Sequence, residues 1–410
     1  MKHHYVPRLV LKKFSSKICL FNVRTGEYLE NRSNEKIFYQ KDLYTQEIED
    51  KLNKKIESQF GNLFNNKIYK EENQIVLNRD ELRLIKKFLL ISVIRSMGNE
   101  KFMQQEKHYY DRLSEFNEKN NITNYSINPP FIEKEIVGET PYDYWMRTLN
   151  VILDSDGSPQ SILEHPEKTY PAHRWATVIN NGYIAFWDSE YDHHEFIITD
   201  IGMTSENEKG WNGINVHNVK KTNYLLYLFE ITKDKVAQKE IFKLMNLHHC
   251  FTENFMMFPI SAKRMIVEID PFFKFRFLYS HLPNLPKLED LTMIPNENLF
   301  KPNKNQYYYT QGYGKEIKYH PEDKYIYEIK KLSRKETKYC NELFLDRIDT
   351  WVGFSSLNKV VGSIFAYKKN NEVPYTPRVD YTELYKLINQ RYGSSINLGN
   401  ICGFRKKDTD

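Results

Sequence analysis

The sequence predicts an α+β protein, with helical N- and C-terminal parts around a mainly antiparallel central sheet. Three observations predict it. Residues 45–64 and 78–118 carry apolar side chains at intervals of three and four, the period of a helix face. Residues 174–199 hold β-branched and aromatic runs broken by Asn180-Asn181-Gly182, the mark of a hairpin. Helical patterns return after residue 333. Strands grouped between helices, rather than alternating with them, argue against a βαβ array.

The elements follow in order. Lys17–Arg24 is a strand that Thr25-Gly26 turns into Glu27-Tyr28-Leu29. Ile48, Leu52, Ile56, Phe60 and Leu63 then line one helix face. The next helix starts at Asn78, with Glu81 placed to complete a capping box, and buries Leu82, Ile85, Leu89, Val93 and Met97. It runs to Glu118, with a weak point at Gly98. Residues 120–138 are a polar loop containing Pro129-Pro130, after which Thr140-Pro141 opens a helix with Trp145, Leu149, Ile152 and Leu153 on one face. The hairpin Arg174–Ile179/Tyr183–Trp187 and a third strand, Glu195–Thr199, come next. Residues 201–215 read as a mobile glycine-containing loop, and strands at 224–231 and 265–269 flank a helix at 233–247.

Residues 281–305, rich in proline and asparagine, are a flexible insertion. They separate a core of residues 1–280 from a mainly helical part, 306–410, packed on that same core. Ser333–Glu336 and Asp380–Glu383 are capping boxes of that part.

Composition narrows the function classes. A 40% hydrophobic content supports a core, and 28% charged residues give a well-solvated exterior. The run Phe88–Ile94, interrupted by Ser92, falls short of the ~20 apolar residues of a membrane span, so no membrane association is expected. The first residues lack the apolar stretch of a secretory signal. Cys19, Cys250, Cys340 and Cys402 form no CxxC pair, which fits a reducing, cytoplasmic setting and opposes a thiolate zinc cage. A net charge of +5 permits nucleic-acid binding without demanding it. The 29 tyrosines and 25 phenylalanines offer stacking surfaces, yet their spacing does not repeat like a stacking platform, and an AT-rich coding bias is the better account of them. Glycine-rich phosphate loops and HExxH or GxSxG motifs are absent.

Histidines stand in three doublets, His3-His4, His193-His194 and His248-His249, although the chain has only 12. Neighbours on a strand point to opposite faces and on a helix diverge by about 100°, so both rings meet one centre only from an irregular segment. Pro7 restrains the backbone beside His3-His4, which makes this doublet the best placed to act together. Imidazole can bind a divalent metal or serve as a general base, and Arg8 can hold a phosphate or carboxylate. The plainer account is a terminal segment docked on the core. Asp192-His193-His194-Glu195 reads as a solvated turn before a strand, and His248-His249-Cys250 as a helix end.

Separated pieces of the chain resemble the bacterial domain-of-unknown-function family 4238. Its opening His-His-x-Val-Pro, apolar stretch and Phe match His3, His4, Val6, Pro7, Leu11 and Phe14. An Ile-Glu pair and a second glutamate match Ile48-Glu49 and Glu57, and a helical arginine matches Arg95. Trp175, Phe258-Pro259-Ile260-Ser261 and Asn341 follow in the family's order. A Ser-Asp-x-Pro strand end is represented by Thr199-Asp200-Ile201-Gly202, without the serine and proline. The similarity spans residues 3–365.

The resemblance implies a bacterial defence-type effector and singles out His3, His4, Glu57, Arg95 and Asp200 as its polar positions. From them comes the expectation of a hydrolase, a nuclease or phosphodiesterase, with these five as catalytic residues. His3, His4 and Glu57 would hold a divalent metal, and Arg8 and Arg95 would bind substrate. Nucleic acid and a protein from a neighbouring gene are the expected partners. The alternative is a non-enzymatic sensor of nucleic acid or a phage component, in which the same residues form a structural ion network.

Overall fold

The computed structural model describes residues 2–119, 140–155, 183–189, 194–207, 233–237, 254–269, 300–301, 307–310, 314–317, 324–369 and 379–392. The readings on Trp175, Arg174–Ile179, residues 224–231, His193 and His248-His249 lie outside the described residues, as does most of 281–305.

The chain starts as strand β1 (Lys2–His4), helix α1 (Arg8–Phe14), strands β2 (Lys17–Asn22), β3 (Tyr28–Ser33) and β4 (Tyr39–Lys41). The β2–β3 hairpin forms as the turn residues dictate, with Gly26 at φ +73°. A helical stretch follows in alternating segments: α2 (Gln46–Lys51), a π-helical turn (Leu52–Glu57), α3 (Ser58–Leu63) and a second π-helical turn (Phe64–Ile68). Widening to the π repeat lets Leu52, Ile56, Phe60, Leu63, Phe64 and Ile68 all stay buried on one side.

Strand β5 (Gln74–Asn78) leads directly into α4 (Arg79–Lys119). The capping box is present: Glu81 N–H donates to Asn78 Oδ1 at 2.8 Å and Asn78 N–H to Glu81 Oε2 at 2.9 Å. Gly98, at φ 67° and ψ 174°, breaks α4 into two helical pieces at the position where the pattern weakens. Helix α5 (Pro141–Asp154) is capped by Thr140, whose hydroxyl accepts from Asp143 N–H. Phe60 stacks on Phe88 at 3.7 Å between ring centres, tying α3 to α4.

Strands β6 (Tyr183–Ser189), β7 (Ile198–Thr199), β8 (Thr204–Asn207), β9 (Asn254–Pro259), β10 (Arg264–Ile269), β11 (Phe300–Lys301), β12 (Tyr307–Thr310), β13 (Gly314–Ile317) and β14 (Lys324–Leu332) come next. The chain continues through α6 (Arg334–Asp346), β15 (Trp351–Phe354), α7 (Leu357–Lys369) and α8 (Thr382–Tyr392). A seven-stranded sheet runs β11-β14-β6-β10-β9-β8 with β5 also paired to β14, and a four-stranded sheet runs β3-β2-β15-β7. Among the described residues, every pairing is antiparallel except β14 with β6. The architecture is α+β, and the buried apolar side chains form one contiguous core.

The part from residue 306 on carries the helices α6, α7 and α8 and also contributes strands to the seven- and four-stranded sheets. Lys324–Leu332 alternates exposed and buried positions over nine residues and joins β5 to β6, while β15 joins β2 to β7. Two expectations need correction. The 201–215 loop contains strand β8, whose backbone pairs with β9 despite its polar side chains. Glu195 and His194 are buried rather than solvated. The Glu195 carboxylate accepts the Ser355 N–H at 2.6 Å and its hydroxyl, and so caps the start of α7.

Candidate functional site

The first residues of the site come from β1. Its residues pair with β4, His3 opposite Gln40 and His4 opposite Tyr39. A strand sends neighbouring side chains to opposite faces, so the two rings diverge instead of converging on one centre. His3 turns inward, 3% exposed, beside the Tyr44 ring, and His4 lies near its cross-strand neighbour Tyr39. Pro7 serves a different purpose from the one expected: with φ −56° and ψ 132° it is the cap from which α1 starts.

His3 Nδ1 accepts the Tyr44 N–H at 2.9 Å. An accepting Nδ1 places the ring proton on Nε2, which leaves no free lone pair for a metal or for proton abstraction. Among the described residues, no group of three His, Cys, Asp or Glu side chains is disposed to hold a metal ion, so His3, His4 and Glu57 do not assemble as a three-ligand set.

Arg95 is the hub. It projects from the buried side of α4 with a side chain 3% exposed. Nε donates to the Tyr44 hydroxyl at 3.1 Å, one terminal nitrogen to Glu57 Oε1 at 2.6 Å, and the other to the His4 carbonyl. Burial opposes its charge, but the Tyr44 and Glu57 oxygens more than compensate, and the guanidinium holds its proton more tightly than a free arginine. Glu57, at the end of the first π-helical turn, stays 19% exposed at the rim. Tyr44 stacks on Trp145 of α5, and the Trp145 indole N–H bonds the Ile94 carbonyl of α4 at 2.9 Å. A single arginine thus joins the N-terminal strand, the loop before α2, the π turn and α4.

Two groups near Arg95 keep unused capacity. The His4 imidazole has a buried Nδ1 with no hydrogen-bond partner. Burial first, then the Arg8 charge, push its pKa down to about 4, with Arg95 adding to the shift and the Ile37 backbone and Glu57 opposing it. Glu49 has a buried Oε2 with no hydrogen-bond partner, and burial raises its carboxyl above the usual range against the pull of Arg95, with Glu57 adding to the rise. Glu49 and Tyr44 were not among the expected site residues. Glu49 was visible as the partner of Ile48 in the matched helix motif, whereas Tyr44 carries no sequence signal.

Arg8 and Asp200 stand apart from this hub. Arg8 pairs with Glu35 on the surface, both side chains well exposed, while its charge still reaches His4. The Asp200 carboxylate accepts three backbone N–H groups, from Thr350 at 2.7 Å, Trp351 at 3.0 Å and Asp349 at 3.3 Å, and so clamps the turn that begins β15. Burial raises its pKa and these bonds oppose the rise. The Asp200 charge reaches the N-terminal motif at Tyr5, whose phenol is pushed up by burial and then by the charges of Asp200 and Asp349. Asn341 is also structural: its side chain accepts the Ile197 N–H at 3.1 Å and donates to the Glu195 carbonyl and the Ser363 hydroxyl.

The most completely paired buried ions were not expected. Arg264 of β10 grips Asp188 of β6 through two bonds of 2.6 and 2.7 Å and donates to the Ile68 carbonyl, while Lys331 of β14 reaches the same carboxylate at 3.0 Å. This pair locks the central strands to the end of the π-helical stretch.

The fold and hub define an α+β protein whose N-terminal strand is held by a buried arginine network. The family described as "Protein of unknown function (DUF4238)" matches residues 2–357, and the chain belongs to it. Neither the curated proteins nor the solved structures include a significant match.

Proposed function

We propose that the chain is a hydrolase of phosphodiester bonds, a nuclease or phosphodiesterase, whose reacting groups are His4, Arg95, Glu57 and Glu49. One observation carries the reading: a neutral imidazole with an unpartnered nitrogen lies within the field of two arginines and a glutamate. A ring with a pKa near 4 is a weak base, but part of that depression comes from Arg8 and Arg95. A bound phosphate offsets those charges and raises the ring toward the range in which it can take a proton from water. The Arg95 N–H groups outside its three bonds would then stabilise charge on the phosphoryl oxygens. Glu49, its carboxyl raised by burial, would supply the proton to the leaving oxygen. His3 positions the strand, and Asp200 and Arg8 stay outside the chemistry. The defence setting rests on the family resemblance alone.

Incubation of the purified protein with DNA, RNA and dinucleotides, with and without Mg²⁺, Mn²⁺ or Zn²⁺, tests this. Turnover should fall at least about a hundredfold in His4→Ala. Equal background from the variant and the parent would end the enzyme reading.

A binding or sensor protein is the second reading, favoured by the three bonds that already occupy Arg95. Under it, no substrate turns over, and the same variant lowers the melting temperature while a nucleic acid or phage component still binds.

A further inference from the structure

A second site lies near the start of α4, the helix that carries Arg95. A cavity of about 440 Å³ opens between the π-helical stretch, α4 and the C-terminal end of α5. Its walls include Lys55, Arg83, Lys87, Asp80, Asp154 and the apolar Leu153. We propose that this cavity binds a small phosphorylated molecule of mononucleotide size, with the phosphate on Lys55, Arg83 and Lys87 and the organic body against the leucine wall.

The volume lies within the ~300–1,000 Å³ range of small-molecule sites. Three cations face two carboxylates on its walls, and the charges are layered by depth. Lys87 is 4% exposed and fixed in place by its bond to the Ser155 carbonyl at 2.9 Å. The carboxylates sit in open solvent: Asp154 shares itself between Lys51 and Lys55 at 2.7 Å each, and Asp80 holds Arg83 at 3.3 Å. Exposed pairs of this kind contribute at most about 1 kcal/mol, so a phosphate can take their cations over at low cost. Arg83 and Lys87 are four apart on α4 and present their charges along one edge, while Lys55 faces them from the π turn. Guanidinium and ammonium donors together suit the several oxygens of a phosphate. Leu84, only partly buried on the same lining, leaves an apolar surface for a ring, backed by the buried Leu153.

Calorimetric titration of the full chain with adenosine monophosphate, inorganic phosphate and adenosine tests the proposal. Adenosine monophosphate should bind with a dissociation constant below about 1 mM, and both fragments at least about tenfold more weakly. Lys55→Ala/Arg83→Ala changes only exposed side chains, should melt with the parent, and should weaken binding by about tenfold or more. Lys87→Met should abolish binding, read beside its melting curve in case the buried change unfolds the chain. Absence of binding to the parent, or unchanged affinity in the double variant, would overturn the site. Inorganic phosphate binding as tightly as the nucleotide would overturn the organic part of the assignment.

Discussion

Replacing Arg95 by methionine removes a buried side chain that links the N-terminal strand to the helical layer. Methionine matches the length of the aliphatic stem but supplies no donor. The Tyr44 hydroxyl, Glu57 Oε1 and the His4 carbonyl each lose a partner, and Tyr44 is buried. Removing one member of a buried ion pair costs about 3–5 kcal/mol. Because Glu57 retains 19% exposure and can rehydrate, the lower end, about 3 kcal/mol, is expected. Glu57→Gln keeps an acceptor but strands the Arg95 charge, so it should cost about 2 kcal/mol. Since both changes break one contact, the double variant should fall short of the sum by about 1 kcal/mol or more. Urea unfolding followed by tryptophan fluorescence reads these values, with Trp145 reporting through its stack on Tyr44. Hydrogen exchange at the Tyr44 N–H, which bonds His3, reports release of the strand. An Arg95→Met variant within about 0.5 kcal/mol of the parent, or strict additivity with Glu57→Gln, would refute the hub.

Other perturbations are separable. Asp188→Asn should destabilise by about 3 kcal/mol or more, because Arg264 keeps its charge in the interior, whereas Arg8→Ala at the exposed Glu35 pair should cost less than about 1 kcal/mol in the same unfolding assay. His4 has a folded pKa of about 4 against 6.5 unfolded, so the unfolded chain binds the extra proton between those values. Its contribution is complete above about pH 6.5 and lost as pH falls toward 4, about 2 kcal/mol after discount for partial exposure. His4→Phe should flatten the stability profile in that window, and an unchanged slope would remove His4 as its source. In kinetics, the acid limb of kcat/KM should lie near pH 4 and that of kcat higher, since bound phosphate offsets the arginines; coincident limbs would contradict this. Gly26→Ala places a Cβ 2.8 Å from the Glu383 side chain at φ +73°, and should cost about 1–2 kcal/mol by thermal melting, with Glu383→Ala recovering the clash but not the backbone part.

Local chemistry was read well where it depends on neighbours in sequence. Asn78 with Glu81, Thr140 with Pro141, and Ser333 with Glu336 form the caps their spacing foretold, because a cap closes within one turn. Asp380 caps Thr382 by itself at 2.8 Å, since Glu383 turns to Lys386 instead. The π turns escaped detection because their apolar positions fit an ordinary helical period almost as well. Strand β14 escaped because three of its nine residues are lysine, and pairing on both edges outweighs that weak strand preference.

The site divides in the same way. Arg95, Glu57 and the His3-His4 segment were legible together, and Arg95 does bond Glu57 and the His4 carbonyl. Asp200 belonged to the same pattern for a different reason, since its carboxylate holds the turn at Thr350, 150 residues further along the sequence. By itself the sequence determined the α+β class and the main helix starts, which rest on short-range periodicity and capping, and the family, which rests on the resemblance of motifs spread along the chain. Only tertiary structure decided that β1 is a strand with its histidines on opposite faces, that Tyr44 and Glu49 join Arg95, and that Arg264 finds Asp188. Such roles depend on partners dozens to hundreds of residues apart, and burial and charge take their meaning only after the chain has brought those partners together.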